Sequence, residues 1–411
     1  MDTKGAGRFP AWLAAVWAAT RLALLLSVFK VFTVAGPDVT SDVSVIYRGW
    51  YEVLRQGTFP LDDVTWQYPP AAALAVLSPG LLPFLDYTHA FFVLACVTDL
   101  AVLCLLVRYG REPERSPRGA WLWTAAVPLL GPTVYARYDV MVTAVAVAAL
   151  LVAARHPRAF GVLTALGAMV KVWPALLLAG SLRRRPWAAA AVTAAALAAV
   201  FAVSMPGAFA FLTFQRDRGT EVESLGALVF HVARHFGWEG QVLLNYGSIE
   251  FLGPWVGVVS TAALALTGVA FGWLVVWRLR VVRTGPVTLA EAALTAVLLF
   301  TVTSRVISPQ YLVWLTGLAA VCLTYRATRM TAPALMVTAA SLVTLLEFPL
   351  GFIHVVTSDW YGVTLMFVRN GLLVAASLSA ARRLWHSTVS PEPAAPAQAA
   401  ADRADGTAVA P

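Results

Sequence analysis

Residues 253–277 read GPWVGVVSTAALALTGVAFGWLVVW, a stretch without a charged side chain. A helix of this length crosses the hydrocarbon core of a bilayer, which is about 30 Å thick. Comparable apolar stretches recur from Trp12 to Leu384. Hydrophobic residues make up 59% of the 411-residue chain and charged residues 13%, with a mean hydropathy of +0.72. Soluble proteins are about 25% charged. The composition therefore predicts an all-α polytopic membrane protein.

We expect about twelve transmembrane helices. The predicted spans are 12–34, 69–86, 89–108, 119–136, 139–154, 159–181, 187–206, 253–277, 287–304, 308–325, 331–350 and 361–381. Several are short for a bilayer, which favours packed, kinked or partly re-entrant helices. Residues 1–385 then form one integral membrane domain. The Pro- and Ala-rich segment 386–411 predicts a disordered cytoplasmic tail.

The formal charge of +8 lies mostly in the loops between spans. Cytoplasmic loops of membrane proteins are rich in Arg and Lys, so this charge favours membrane orientation and not a nucleic-acid partner. We therefore place four loops and both termini in the cytoplasm: 182–186, 278–286, 326–330 and 382–386. The extracytoplasmic segments are then 35–68, 207–252, 305–307 and 351–360. This topology conflicts with the enrichment of basic residues in cytoplasmic loops over the third to sixth spans. It leaves four basic residues on the extracytoplasmic side: Arg108, Arg111, Arg115 and Arg118.

The outer segment 35–68 predicts an amphipathic helix in the membrane interface. Its apolar residues recur at helical spacing, at Val43, Ile46, Tyr47, Trp50, Val53 and Leu54. Ser44, Arg48, Glu52 and Arg55 lie opposite, a pattern typical of helices that lie at the headgroup level. Asp42 opens this helix. It has two interpretations: an acid in the first turn that opposes the helix dipole, or a carboxylate that accepts a proton from a substrate hydroxyl. Asp38 is its nearest rival.

Two motifs near the predicted outer face and one lysine within a span also stand out. Trp66-Gln67-Tyr68-Pro69-Pro70 begins one span, and Ser308-Pro309-Gln310-Tyr311 begins another. An interfacial aromatic belt explains part of this pattern. Arg305 lies just upstream of the second, where a guanidinium suits bidentate phosphate binding. Lys171 interrupts an apolar span, and it either snorkels towards the cytoplasm or serves a function within the membrane.

The sequence lacks the common motifs of soluble enzymes. No Gly-rich phosphate loop, HExxH, CxxC or nucleophile elbow occurs. The longest outer loop is too short for a nucleotide-binding domain. A transferase built this way requires a donor that lies in the membrane.

These elements together resemble the GT-C glycosyltransferases, and particularly family 87, the polyprenol-phosphate-mannose-dependent mannosyltransferases of actinobacteria. The resemblance rests on three segments in order: Asp42 through Pro70, Arg218-Gly219-Thr220-Glu221-Val222-Glu223-Ser224, and Ser308-Pro309-Gln310-Tyr311-Leu312-Val313-Trp314. Lys171 with Pro174 also looks like the family's Lys-aromatic-Pro element. It covers nearly all of the chain except the tail.

The resemblance implies an inverting transfer of a hexose, mannose in this family, from a polyprenyl-phosphate donor to a lipid or glycan acceptor of the cell envelope. Asp42 would be the general base on the extracytoplasmic face. Arg305, Lys171 and Arg218 would bind the donor phosphate. The substrate-positioning residues would be Gln67, Tyr68, Glu221, Glu223, Gln310, Tyr311 and His354. We expect no cofactor beyond the lipid-linked donor and no metal, because no clear DxD motif occurs.

Two alternatives remain from the sequence. A transporter or flippase of lipid-linked glycans would also be polytopic, but such proteins usually show internal repeats and polar groups near mid-membrane. A non-catalytic scaffold in a cell-envelope complex would not require Asp42, Arg305 and Gln310 to converge. The sequence does not choose between mannose and a pentofuranose, and it leaves the acceptor open.

Overall fold

Residues 11–61, 63–212 and 219–389 are described by a computed structural model, and this part of the chain is mostly helical. Its α-helices are α1 Ala11–Val28, α2 Arg48–Leu54, α3 Ala72–Leu77, α4 Tyr87–Gly110, α5 Arg118–Ala126, α6 Asp139–Val152, α7 Pro157–Val170, α8 Arg184–Ser204, α9 Ala227–Ala233, α10 Val256–Arg280, α11 Thr288–Thr303, α12 Tyr311–Leu323, α13 Thr331–Leu345, α14 Phe352–Thr357 and α15 Trp360–Thr388. Short 3-10 or π-helical segments lie between or beside these helices: Asp42–Tyr47, Ser78–Leu81, Val127–Val134, Trp173–Gly180, Arg234–Phe236 and Leu346–Leu350.

In the described part of the chain, six helices are long and apolar enough to cross a membrane: α1, α4, α8, α10, α13 with its extension, and α15. The chain is thus a multi-pass membrane protein. Shorter apolar helices, among them α6, α11 and α12, lie between the long ones. Nearly every residue of α12 is buried, and a helix surrounded by protein is apolar all round. Length alone does not show which of the short helices cross, and the predicted number of twelve spans is not confirmed.

One end of the bundle, here called the basic end, gathers the arginine-rich loops. The backbone of Arg115 pairs with Tyr325, and Arg326 Nε donates to the Arg115 carbonyl at 2.7 Å. Arg155 forms an ion pair with Glu112 at 3.0 Å. The loops 111–117, 153–156 and 324–330 therefore lie together.

The opposite end, here called the sheet end, carries a three-stranded antiparallel sheet. Its strands are β1 Thr220–Glu221, β2 Gln241–Asn245 and β3 Ser248–Leu252, in the order β1-β3-β2. Segment 35–68, the turn 135–138, the loop 304–310 and the loop 351–359 also lie here, because contacts between their side chains join them. All four predicted extracytoplasmic segments thus share one end of the molecule.

The predicted span 69–86 does not cross the bundle. It begins at Tyr68, beside the sheet-end loops, and leads through α3 to Asp86, the N-cap of α4. The His89 ring on the first turn of α4 packs 5.1 Å from Phe29, at the end of α1. Both ends of 69–86 therefore lie at the sheet end. Its helical pieces are short because prolines interrupt the segment.

This re-entrant segment reverses the predicted direction of α4, α5 and α6. The loop 108–118 lies at the basic end and the turn 135–138 at the sheet end, each opposite to the prediction. The correction brings Arg108, Arg111, Arg115 and Arg118 to the same end as the other arginine-rich loops, so the conflict with the charge rule is removed.

The predicted span 159–181 is also not a single crossing. Its first half, α7, starts beside α8 at the basic end, where a Cβ on Gly161 would lie 2.2 Å from the Pro186 carbonyl oxygen. The helix breaks at Lys171, which has extended backbone angles. The chain then returns as the 3-10 helix Trp173–Gly180, and a Cβ on Gly180 would lie 3.0 Å from the Leu289 carbonyl oxygen. Segment 157–180 is a helical hairpin with Lys171 at its tip.

The predicted helix in segment 35–68 forms as a π-helical turn, Asp42–Tyr47, followed by α2. Its apolar stripe faces the protein: Tyr47 and Trp50 are buried, and the Trp50 indole donates to Asp63 at 2.7 Å. Trp50 is therefore not an exposed headgroup anchor, and the interfacial position of the helix stays a prediction.

The predicted tail boundary at 386 is too early. Helix α15 continues to Thr388, whose buried hydroxyl accepts a hydrogen bond from the Trp277 indole at 3.0 Å. The rest of the predicted tail, 390–411, lies outside the described residues.

Candidate active site

A cavity of about 710 Å³ opens at the sheet end. It is lined by the first outer segment, the tip of the 157–180 hairpin, the sheet and the loop 304–311. Nine of the predicted site residues line it: Asp42, Gln67, Tyr68, Lys171, Glu221, Glu223, Arg305, Gln310 and Tyr311. Arg218 lies outside the described residues. The fold thus brings together side chains that are far apart in sequence, and their individual roles stay predictions.

Asp42 lies in the first turn of its helix and faces the cavity. Its Oδ2 forms an ion pair with Arg137 Nη2 at 2.8 Å, and the two side chains are 32% and 11% exposed. Arg137 also lines the cavity. The sequence reasoning missed it, because the wrong register of α5 and α6 assigned the turn 135–138 to the cytoplasm. The available signal was a charged pair, Arg137 and Asp139, between two apolar stretches.

Lys171 does not snorkel towards the cytoplasm. Its Nζ lies 2.7 Å from Oδ1 of Asp139, the first residue of α6, and only 9% of the residue is exposed. Four aromatic rings surround the ammonium with centroids 5.0–5.6 Å away: Tyr68, Tyr138, Tyr311 and Trp314. Cation–π attraction and the carboxylate together stabilise the buried charge. The Trp314 indole donates to the same Asp139 oxygen at 2.6 Å.

Arg305 and Glu221 shape the opposite wall. The Glu221 carboxylate accepts from the Ile307 backbone N–H at 2.6 Å and from the Ser308 hydroxyl at 2.9 Å. The Glu221 backbone N–H donates to the Arg305 carbonyl at 3.1 Å. Glu221 therefore holds the loop that carries Arg305. The guanidinium is half-buried and donates to the Ser260 hydroxyl on α10 at 3.3 Å.

Glu223 belongs to a buried ionic cluster behind the cavity wall. Arg369 on α15 lies 3.3 Å from its carboxylate and 2.7 Å from that of Glu347. Burial and then the neighbouring Glu347 raise the pKa of Glu223 well above its usual value. Arg369 also donates to the Ile307 carbonyl at 2.9 Å, so this cluster fixes the same loop as Glu221.

Contacts of Gln67, Tyr311 and Trp314 connect the parts of the cavity wall. Gln67 Nε2 donates to the Tyr246 carbonyl in the β2–β3 turn at 2.9 Å. The Tyr311 ring stacks on Trp314 at 3.9 Å, and Trp314 stacks on Trp173 at 5.1 Å. These contacts join the first outer segment, the hairpin tip and the start of α12.

His354 lies outside the cavity. Its Nδ1 pairs with Asp359 in the same loop, and its ring meets the edge of Tyr361. Asp359 is the N-cap of α15 and accepts from the Gly362 backbone N–H. That bond and the contact with His354 lower the pKa of Asp359. His354 therefore takes part in local helix-start contacts, and its predicted substrate contact stays a prediction.

The cavity reaches the exposed surface of α10. Within the spans, only 6% of the residues of α8 and 17% of those of α10 are buried. Helix α8 packs on α7 and α10 on α11. Two exposed apolar side chains, Leu212 and the α10 residue Leu264, line the cavity. Nowhere in the described ranges do three or more His, Cys, Asp or Glu side chains gather to hold a metal ion, and metal independence stays a prediction.

A model of glycosyltransferase family 87 matches residues 66–309, more than half of the chain. The chain belongs to glycosyltransferase family 87. A crystal structure of ArnT from Cupriavidus metallidurans bound to undecaprenyl phosphate is similar to it, with 15% identity over 93% of this chain and 78% of that chain, and a TM-score of 0.45. The apo state of the same ArnT gives 16% identity over 92% and 77%, with a TM-score of 0.42. No curated protein matches the chain.

The family 87 match includes most of the cavity. Gln67, Tyr68, Lys171, Glu221 and Arg305 fall within residues 66–309, whereas Asp42 precedes the matched range. Family membership assigns glycosyl transfer to the chain. The roles of individual residues rest on the geometry of the cavity.

Proposed function

We propose that this family 87 protein transfers a hexose, mannose in our assignment, from a polyprenyl phosphate to a lipid or glycan acceptor of the cell envelope, with inversion at the sugar. One observation carries the proposal. A carboxylate, Asp42, and a guanidinium, Arg305, line a single cavity whose wall includes the exposed apolar side chains of Leu212 and Leu264.

The two groups suit the two halves of the reaction. The acceptor hydroxyl attacks the anomeric carbon while Asp42 takes its proton, and the bond from that carbon to the phosphate oxygen breaks. Negative charge grows on the departing polyprenyl phosphate, where Arg305 neutralises it. Attack opposite the leaving group inverts the configuration and requires no covalent sugar–protein intermediate.

Lys171 is the second cation at the cavity. Its Nζ lies 2.7 Å from Asp139, among aromatic rings. The fork of an arginine can bind two oxygens of one phosphate, whereas an ammonium cannot. We therefore assign the phosphate first to Arg305 and assign Lys171 to the support of Tyr68 and Tyr311, which line the same cavity.

We place the cavity on the extracytoplasmic face. The arginine-rich loops lie together at the basic end, opposite the cavity. Since basic loops remain in the cytoplasm, the sheet end then faces outward. The exposed apolar side chains of Leu212 and Leu264 at the cavity suit a polyprenyl chain, which would remain in the bilayer while its phosphate enters the cavity.

The test uses the full chain in lipid nanodiscs, polyprenyl-phosphate mannose with a radiolabelled sugar as donor, and a membrane extract as acceptor. We expect labelled product from the wild type. Asp42→Asn should lower turnover by about 10²–10⁴-fold, because the amide cannot take a proton. Glu52→Gln is the control, since Glu52 is exposed on α2 and pairs with Arg55.

Equal turnover of Asp42→Asn and wild type would remove Asp42 from the mechanism. If the folded wild type forms no product with any polyprenyl-phosphate sugar, transfer from such donors is wrong. Transport of a lipid-linked glycan across the membrane of vesicles that contain the same protein would then favour a transporter.

A further inference from the structure

The Asp42 carboxylate is held by a guanidinium whose own position is fixed by the backbone. Arg137 Nη1 donates to the carbonyl of Val39 at 3.0 Å and to that of Ala136 at 2.7 Å. Its Nη2 lies 2.8 Å from Asp42 Oδ2. The guanidinium thus connects the segment before the Asp42 helix, the turn before α6 and the carboxylate itself.

Both partners line the cavity, and the carboxylate is the more exposed of the two. The Arg137 side chain is 11% exposed and that of Asp42 32% exposed. An arginine with a planar fork and several N–H groups engaged loses its freedom to rotate. Its contacts with two main-chain carbonyls therefore aim the remaining nitrogen at Asp42.

We propose that Arg137 is a positioning residue that fixes the Asp42 carboxylate through Oδ2 and leaves Oδ1 directed at the acceptor hydroxyl. This inference rests on the proposed function, in which Asp42 is the general base. Asp42 begins its helix with a π-helical turn, and its side chain would otherwise sample several rotamers. A misplacement of about 1 Å at a reacting group can cost 10²-fold in rate.

The same geometry argues against donor binding by Arg137. Phosphate recognition by arginine uses two parallel N–H groups of the fork. In Arg137, Nη1 is engaged by two carbonyls and Nη2 by Asp42. Arg305, on the wall that Glu221 holds, presents its guanidinium from the opposite side of the cavity.

The experiment measures turnover of the full chain in nanodiscs with radiolabelled polyprenyl-phosphate mannose and a membrane extract. Arg137→Met should lower kcat about 10–100-fold and leave the donor KM within about twofold of wild type. Arg137→Lys should recover part of this loss, because an ammonium reaches Asp42 but cannot also hold both carbonyls. The control is Lys30→Met, which removes the cation of an exposed ion pair with Asp38 in the same outer segment and should leave kcat unchanged.

A combination of variants separates positioning from a merely structural role. In an Asp42→Asn background, Arg137→Met should cost less than about twofold, because the carboxylate that it positions is gone. An equal loss in both backgrounds, or a raised donor KM with unchanged kcat, would overturn the inference. Arg137→Lys and Arg137→Gln, compared at matched amounts of monodisperse protein, provide the same test if Arg137→Met does not fold.

The outcomes for the two proposals are distinct. If Asp42→Asn retains full turnover, the base assignment of the proposed function is wrong. If Asp42→Asn is impaired and the Arg137 variants are as active as wild type, only the positioning role is wrong.

Discussion

In the proposed function, Arg305 is the residue that binds the donor phosphate. Its planar fork can bind two oxygens of one phosphate, which a lysine ammonium cannot do. Arg305→Lys should therefore raise the donor KM about tenfold and change kcat less, as measured with radiolabelled polyprenyl-phosphate mannose. Arg234→Lys is the matched control, because Arg234 donates to the Val356 carbonyl and the Ser358 hydroxyl away from the cavity. An unchanged donor KM in Arg305→Lys would assign the phosphate to another group.

The candidate site was partly predictable at the residue scale. Asp42, Arg305 and Lys171 stand out because ionisable groups beside apolar stretches are costly and need a reason. Asp139 and Arg137 share this signal but were missed, since their turn was assigned to the opposite end. Their ion pairs with Lys171 and Asp42 join residues that lie more than 30 positions apart, and no sequence spacing encodes such pairs.

Among the elements, α9 is attached to the sheet end by a buried neutral histidine. His231 Nε2 donates to the Val222 carbonyl at 2.7 Å, and Nδ1 accepts from the Ser358 hydroxyl at 2.8 Å. Burial, with smaller contributions from Arg234 and His235, lowers the pKa of His231 to about 4. A histidine in the unfolded chain titrates near pH 6.5. Between pH 6.5 and 4 the unfolded chain therefore binds a proton that the buried His231 does not. The folded state keeps its full stability above pH 6.5 and loses stability as the pH falls towards 4.

This linkage predicts a pH-dependent melting temperature. Up to about 3 kcal/mol of the stability of this region is lost between pH 6.5 and 4, which follows from the depressed pKa. Thermal melting in detergent should show a steeper fall with acidification for the wild type than for His231→Phe. His235→Gln is the control, because His235 is exposed and stacks on Trp360. Equal slopes for wild type and His231→Phe would contradict the prediction.

The re-entrant segment around α3 sets the direction of the three helices that follow. We replace the native cysteines Cys96, Cys104 and Cys322 by alanine and introduce one cysteine at a time. A membrane-impermeant maleimide applied to intact cells should label Glu239→Cys at the sheet end. Pro113→Cys, at the basic end, should react only after permeabilisation. Labelling of both cysteines in intact cells would instead support the topology predicted from the sequence, in which the loop 108–118 is extracytoplasmic.

Composition predicts where the helices lie in the sequence more readily than it predicts the direction in which each helix runs. The α10 sequence is uncharged over its membrane length and was predicted as a helix within a few residues. The segments 69–86 and 159–181 are equally apolar, yet one is re-entrant and the other a hairpin. Hydropathy reports burial in an apolar environment and does not distinguish lipid from protein. The prolines and Lys171 mark the breaks, but which way the chain turns after a break depends on tertiary packing.

The whole molecule has two ends with different chemistry, connected through buried ionic contacts. Arg21 on α1 pairs with Asp99 on α4 at 2.8 Å, and both are almost fully buried. Asp99 also accepts from the Trp123 indole and the Tyr135 hydroxyl on the chain of α5 and its extension. Since removing one partner of a buried pair typically costs about 3–5 kcal/mol, this cluster fixes α1, α4 and α5 relative to one another. The cavity is thereby held on a rigid bundle, with α8 and α10 at its lipid-facing side.

The exposed apolar side of the cavity at α10 makes a prediction for the molecule as a whole. Leu264 on α10 is 53% exposed and lines the cavity, and Leu266, two residues on and 51% exposed, lies on the same helix outside it. Leu264→Trp should narrow the cavity on this side and raise the KM for a long-chain polyprenyl-phosphate mannose several-fold. A short-chain donor should be affected less, because its tail does not extend along α10, and Leu266→Trp should behave like wild type with both. If Leu264→Trp impairs both donors equally, the lipid chain does not lie against this side of α10.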